Sequence, residues 1–588
     1  MKEKKYLIIG ITIVLLTLIG VSYAYFSTII TGNKKKVTMT SAGLKIIFTN
    51  GDAIEASEVY AEDNLDIIKT FSVENKTKNE YKYNIVIEDL VNTFKTTGYL
   101  VYKITSDDGG YNMTEFRDVP KRKATTDTGL AYNVLIPANT KHNYNIEIKY
   151  LYSETENQSL DMGKILSGKI FISDGTLPTL SYKILEDNPT ISERTDFSTT
   201  FTENTTGTLF VTDQTQDESS VYYYSGNTTN NWVKYIDTSC TYNGIRVYYF
   251  NVNNYGVWDN PFILPDGTVY KINSLTKEEC LSTNVCSTGS TPLVGLTEEQ
   301  CEFSRGTWTT DKATYNESSS LYWRIIRTNE DGSTRLLFAG TSPNTTKGYV
   351  DLSVFNENNN DPMYVGYMYG TSGSLSNNRY HTNDSKINGL MNYWFNKNLD
   401  DKTYLLDKSY DKTRTELYCN DRSVANNSYS LNNPFNYGVY TRLKNSTPTY
   451  LCGGNGNGGL FEDKEYYGDL FYEIGLMTAD EIVFAGGNIN SGLTNPYAWY
   501  YTNSEGNSIT NNSSWWTMSP SKWDGTQANV WIVDGNGKLD ENGNVSTSYA
   551  IRPVISLDAS ALVKSGNGTP ETPYEIQDYK YYAVSNYQ

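Results

Sequence analysis

The sequence predicts a mainly β fold with short helices: a β-sandwich followed by a C-terminal α+β domain. Three observations carry this. Tyr, at 50 of 588 residues, and Thr favour strands, while Asn, Ser and Gly supply the turns between them. The strong helix formers Ala, Leu, Glu and Lys are under-used, so long helices have little to build on. Short runs of alternating apolar and polar residues recur up to about residue 175, the period of a half-buried strand.

A chain of 588 residues exceeds one core, and about three domains are expected. Texture divides it into residues 1–30, an export segment; 31–175, the sandwich; 176–218, a linker carrying a few strands; 219–578, a head with a Cys-bearing insert near 236–312; and 579–588, a tail.

The export segment opens with Lys2, Lys4 and Lys5, and Tyr6 to Ile30 then contains no charge. Ser22-Tyr23-Ala24 is a small-x-small step, which places signal cleavage between Ala24 and Tyr25. The second reading is an uncleaved anchor, since these 25 uncharged residues at about 1.5 Å rise could span a hydrocarbon core of about 30 Å.

In the sandwich, Val37 to Thr40, Leu44 to Ile46, Phe71 to Val73, Tyr81 to Ile87, Leu100 to Ile104, Asn145 to Tyr150 and Lys169 to Ile172 read as strands. The signal end Val21-Ser22-Tyr23-Ala24-Tyr25-Phe26-Ser27 and the run Thr70-Phe71-Ser72-Val73-Glu74-Asn75 resemble the camelysin/TasA family of exported matrix proteins. The resemblance implies processing by a signal peptidase, a β-sandwich directly after it, and self-assembly in which the freed Tyr25 to Thr31 completes a neighbour's sheet. Camelysins are also described as proteases, but no H-E-x-x-H occurs here, so that activity is not carried over. The plainer expectation is that the sandwich is a stalk.

In the head, Leu321 to Ile326 and Ile551 to Leu557 read as strands, and Asn529 to Val533 as the first arm of a hairpin turning at Asp534 to Gly537. Thr478 with Glu481 three residues on predicts a capping box and a short helix. Asn388 to Asn398 predicts a second helix with Leu390, Trp394 and Phe395 on its inner face. The order Trp323-Arg324-Ile325-Ile326, Gly475 to Glu481, Trp515-Trp516-Thr517-Met518-Ser519-Pro520, hairpin, Arg552 to Leu557 resembles a C-type-lectin-like or formylglycine-generating-enzyme-like domain of Gram-positive surface proteins. That fold hosts binders, enzymes and inert scaffolds, so the resemblance fixes no activity.

A net charge of −18 and a pI near 4.8 argue against nucleic acid as a partner. The cysteines are Cys240, Cys280, Cys286, Cys301, Cys419 and Cys452. An even number in an exported chain predicts disulfides, with pairing inside the Cys280/Cys286/Cys301 insert and a Cys419–Cys452 bridge. No pair has the C-x-x-C spacing of a zinc or redox site, and no cysteine follows Cys452 where formylglycine-generating enzymes carry their catalytic pair.

Candidate chemistry is sparse. His142 reads as a solvated turn residue, and His381 has no G-x-S-x-G elbow to serve. The Asp534 loop departs from a calcium loop at Lys538 and Val545. Arg552 is expected to hold a buried carboxylate such as Asp480 or Glu481. Trp516 is expected in the core and Trp523 on the surface. With Trp523, the Tyr/Asn/Gly-rich loops nominate Tyr497, Trp499, Tyr500, Tyr364 and Tyr367 for ligand contact. No catalytic residue, metal ligand or cofactor is nominated. The expectation is a non-enzymatic protein at the cell surface or secreted, binding glycan or protein through the head. The alternatives are a fibre- or matrix-forming subunit and, behind it, an enzyme on the formylglycine-enzyme-like fold.

Overall fold

A computed structural model describes residues 25–30 and, with short interruptions, 36–249, 280–399, 418–461 and 470–576; before residue 68 it describes backbone only. The export segment up to Ala24, Tyr497 and the 579–588 tail lie outside the described residues. The fold is mainly β, and the chain forms two compact units.

The first unit is the sandwich. Its strands are β1 (Tyr25–Ile30), β2 (Lys36–Ser41), β3 (Leu44–Asn50), β4 (Ile54–Tyr60), β5 (Asp66–Asn75), β6 (Tyr81–Asn92), β7 (Leu100–Thr105), β8 (Arg117–Asp118), β9 (Arg122–Ile136), β10 (Lys141–Tyr150) and β11 (Lys164–Asp174). One sheet runs β4-β1-β11-β6-β9, the other β2-β3-β5-β10-β7-β8. Alternation drives the pairing: β10 buries every second residue, setting Tyr144, Ile146 and Ile148 against Ile85, Ile87 and Ile170 of the opposite sheet. β1 lies inside its sheet, parallel to β11 and antiparallel to β4.

His142 corrects its expectation. The strand starts at Lys141, so His142 is its first inward residue and is 2% exposed, with Nδ1 3.0 Å from the Tyr83 hydroxyl. That hydroxyl also hydrogen-bonds the Tyr144 hydroxyl, which accepts from the Tyr111 N–H at 3.0 Å.

The second unit begins earlier than the texture suggested, at Thr179. Thr179 caps α1 (Leu180–Asp187), and β12 (Thr208–Thr212) pairs with β13 (Val221–Ser225), so much of the supposed linker belongs to the head. β14 (Trp232–Tyr235) and β13 both pair with one side of β15 (Leu321–Thr328), whose other side pairs with β16 (Thr334–Gly340). The insert leaves between β14 and β15 on a ribbon of Thr238–Tyr242 with Thr314–Glu317. Its disulfides are Cys240–Cys280 and Cys286–Cys301, so Cys280 reaches back to Cys240 rather than pairing with Cys286 or Cys301. The expected Cys419–Cys452 bridge is present.

Two further helices complete the frame. α2 (Lys386–Leu399) buries Ile387, Met391, Phe395 and Leu399, one per turn, while Leu390 and Trp394 are only half-buried. α3 (Gly438–Lys444) buries Val439 and Leu443. Beyond them, α4 (Ala479–Phe484) starts at the predicted capping box, with Thr478 and Glu481 bonding each other's backbone N–H. β17 (Trp515–Trp523) is covered on both faces, which is why adjacent Trp515 and Trp516 are both fully buried. β18 (Ala528–Val533) and β19 (Leu539–Asn544) form the predicted hairpin. Among the described residues no helix is long and apolar enough to cross a membrane.

Candidate functional site

The charged residues inside apolar strands locate the site. β15 reads Leu-Tyr-Trp-Arg-Ile-Ile-Arg-Thr and β16 reads Thr-Arg-Leu-Leu-Phe-Ala-Gly, so Arg327 and Arg335 are placed where the sheet is buried. The register sets them directly opposite each other. Like charges across a strand pair repel. Glu481 of α4 resolves this, its Oε1 lying 2.6 Å from Arg335 Nε and 3.4 Å from Arg327 Nε. The capping box fixes Glu481 for that task, because its Oε2 accepts the Thr478 N–H at 2.8 Å.

A second ion cluster adjoins it. Arg442 of α3 meets Asp480 Oδ2 and Asp421 Oδ2, each at 3.0 Å. Asp480 Oδ1 also accepts the Thr449 N–H at 3.1 Å, and Asp421 Oδ1 the Ser423 N–H at 2.8 Å. Burial alone would depress the Arg442 guanidinium, but the facing carboxylates outweigh it and hold its pKa above the ordinary value. Asp480 is raised, because its own burial exceeds the pull of Arg442. Three arginines thus face three carboxylates, the arrangement that makes buried charge tolerable.

Between these clusters lies a cleft with about 570 Å³ of empty space, its mouth included. Arg327, Arg335, Arg442, Tyr450, Asp480 and Ser519 are among its walls, and the Cys419–Cys452 bridge is at its side. That disulfide joins the segments carrying Asp421 and Tyr450. The Tyr450 ring stacks on Phe484 at 4.1 Å, and the Arg327 guanidinium sits over it at 4.6 Å.

The hydrogen-bond inventory of the walls is one-sided. Of the four carboxylates in the walls, those of Asp421, Asp480 and Glu481 already accept from arginine or backbone N–H groups, and the fourth, Glu330, is half-buried. Donors remain. The Tyr450 hydroxyl is buried without a partner, and burial, the largest influence on it, keeps it protonated far above the ordinary tyrosine value. Arg327 uses Nε toward Glu481 and Nη1 toward Thr328 O, leaving Nη2 without a hydrogen bond among the described residues. Ser519 Oγ accepts the Ala479 N–H at 3.0 Å, and its own proton is directed to no acceptor among the described residues.

The residues nominated from the sequence lie elsewhere, and most are core. Trp499 and Tyr500 are fully buried, donating to Tyr224 O at 2.9 Å and Gly537 O at 2.7 Å. Tyr367 is equally buried and donates to Ile474 O at 3.1 Å. Trp523, expected at the surface, is 3% exposed, on the strand position paired with Phe435. Tyr364 is half-buried and packs edge-on against Tyr369. These aromatic residues were nominated for composition, but the polar tips of Trp499, Tyr500 and Tyr367 reach acceptors remote in the chain and the Trp523 ring is buried, which closes these four off as a stacking platform. His381 is buried against Phe461. Arg552 holds no carboxylate: it donates to the carbonyls of Phe338, Gly348 and Tyr500 and lies over Trp515, and burial lowers its pKa to about 9. Its expected partners, Glu481 and Asp480, are taken by Arg335 and Arg442. Arg327, Arg335, Arg442, Asp421 and Tyr450 were missed by sequence reasoning. The available signal was an arginine in the middle of an apolar strand, a position charge occupies only when paired.

No group of three or more His, Cys, Asp or Glu that could hold a metal occurs among the described residues. Residues 472–559 match a family described as a domain of unknown function, DUF6273. The matched stretch contributes Thr478, Asp480, Glu481 and Ser519 to the cleft, while the three arginines and Tyr450 lie outside it. Neither the curated proteins nor the solved structures contain a match to the chain.

Proposed function

We propose that this chain is an exported, non-enzymatic binding protein whose head takes its ligand in the Arg327/Arg442/Tyr450 cleft. The observation that carries this is the inventory of the walls: three of the four carboxylates are closed off by arginine and backbone N–H groups, and donors are left open. A general base needs an open carboxylate or imidazole within reach of the reacting proton, whereas open donors in a desolvated cleft suit recognition. Three disulfides fit folding in an oxidising compartment, which supports an extracellular or cell-surface location. The resemblance of the head to C-type-lectin-like domains supports binding by analogy. The test is an array of glycans and extracellular proteins probed with the full chain. Binding that is lost in a Tyr450→Phe variant retaining its near-UV dichroism is expected, and uniform silence overturns the reading.

A second reading, a fibre-forming subunit, is favoured by one observation. β1, the segment just after the Ala24–Tyr25 step, occupies a position between β4 and β11 rather than at a sheet edge. A strand so placed can be replaced by the same strand from a neighbour. Chains beginning at Tyr25 and at Thr31 distinguish the outcomes: filaments from the first and not the second support the reading, and monodisperse monomer from both at high concentration defeats it.

A further inference from the structure

We infer that the cleft in the head recognises a free carboxylate carried next to an apolar side chain, as at the C-terminus of a peptide. This rests on the proposal that the head is a binding domain, and it names the ligand class of that site.

The argument starts from what the walls can still do. Three donors are unmatched there: Arg327 Nη2, the Tyr450 hydroxyl and the Ser519 hydroxyl. Arg327 is 7% exposed and Ser519 4%, so neither can be satisfied by swinging into bulk water. Burying a donor without a partner is costly, and a group of them in one cleft calls for an acceptor-bearing occupant. Water is the default occupant, and a ligand must replace its hydrogen bonds to displace it. A carboxylate does so: two oxygens, about four acceptor sites and no donor. It also supplies charge to the guanidinium that has the weaker anion contact, since Arg335 lies 2.6 Å from Glu481 and Arg327 lies 3.4 Å from it.

The same inventory disfavours an acidic sugar. A sugar ring brings several hydroxyl donors, each needing an acceptor, and three of the four wall carboxylates, Asp421, Asp480 and Glu481, are already engaged, which leaves Glu330 alone to serve them. It also profits from an open aromatic face, whereas the Tyr450 ring is covered by Phe484 on one side and by Arg327 on the other. The rim is better matched to an apolar side chain. Leu451 lines the cleft at 46% exposure, next to the Cys419–Cys452 bridge. Carboxylate inside and apolar group at the rim is the layout of an N-blocked amino acid or a peptide C-terminus.

Calorimetric titration of the full chain with N-acetyl-leucine, N-acetyl-leucinamide and glucuronate tests this. The acid is expected to bind, and the amide, which loses the charge and replaces one acceptor by a donor, to bind at least about tenfold more weakly. This comparison needs no variant. Tyr450→Phe keeps the stacked ring and removes a hydroxyl that bonds nothing in the protein, so it should weaken the acid about tenfold without lowering the thermal midpoint. Equal binding of acid and amide, acid binding unchanged in Tyr450→Phe and in Arg327→Gln, or glucuronate binding in place of the acid each overturns the inference. Silence of all three compounds at millimolar concentration also overturns it. If array binding persists alongside that silence, the binding reading stands without this ligand class. If the array is silent too, both fail.

Discussion

Around His142 the sandwich buries a neutral chain of hydrogen bonds, His142 to Tyr83 to Tyr144, whereas the head buries three arginines against three carboxylates and further arginines, Arg324 and Arg552 among them, against carbonyls. The neutral chain requires no compensating charge and has a cost only when His142 takes a proton. The ionic network requires every partner, because an ion stripped of its partner inside a protein is far more costly than the pair. The difference teaches where each region is vulnerable: the head to single substitutions and to reduction, the sandwich to acid. It is also convenient to measure, since all 10 tryptophans lie at or beyond Trp232, so their fluorescence reports the head alone.

The largest effect should come from Arg552→Leu. It removes the guanidinium donors that the carbonyls of Phe338, Gly348 and Tyr500 share inside the core. About 3–5 kcal/mol of head stability should be lost, read as a shift of the denaturant midpoint by tryptophan fluorescence. A shift below about 1 kcal/mol would show that water can enter and take over those carbonyls.

Replacing Cys419 and Cys452 by Ala frees a loop of 33 residues and should cost the head about 2–4 kcal/mol. Reducing agent should lower the head transition and leave the sandwich transition where it was, because no cysteine precedes Cys240. A sandwich transition that moves with reduction would break the comparison.

The smallest effect is the pH dependence of the sandwich. Burial pushes the His142 imidazole below its ordinary value of 6.5, against the raising influence of Asp108. A group held neutral in the fold contributes stability that is complete above its unfolded value and is lost as pH falls below about 6.5 toward the lower folded value. Calorimetric melting of the sandwich, the transition that reduction leaves in place, at pH 7.5 and pH 5.5 should show the loss, and His142→Gln should remove most of that slope. An unchanged slope in His142→Gln would assign it to other groups.

How much of this was legible follows from the same contrast. The sandwich strands have one wet face, so Leu100 to Ile104 and Asn145 to Tyr150 could be read by period, but β4, β8 and β9 were not read at all, and β5, β10 and β11 were started too late, which for β10 left His142 outside. Much of the head has no wet face. β17 and β18 are buried on both sides, which erases alternation, and Trp523 looked like a loop residue because Asp524-Gly525 follows it. The capping box at Thr478 was legible because it is local. The cleft was not, because Arg327, Asp421, Arg442, Tyr450 and Glu481 come from segments far apart in the chain, and nothing short-range fixes which arginine meets which acid.

The placement of β1 has a mechanical consequence. A pull on the chain at Tyr25 loads a strand bonded on both flanks, to β11 with Phe26 opposite Lys164 and to β4 with Ile30 opposite Ile54. Tension along such a strand shears two ladders at once instead of peeling one bond at a time. A sandwich tethered through its N-terminus is thereby built to resist drag, and the force needed to extract β1 in single-molecule stretching measures how firmly the rest of the protein is held against flow.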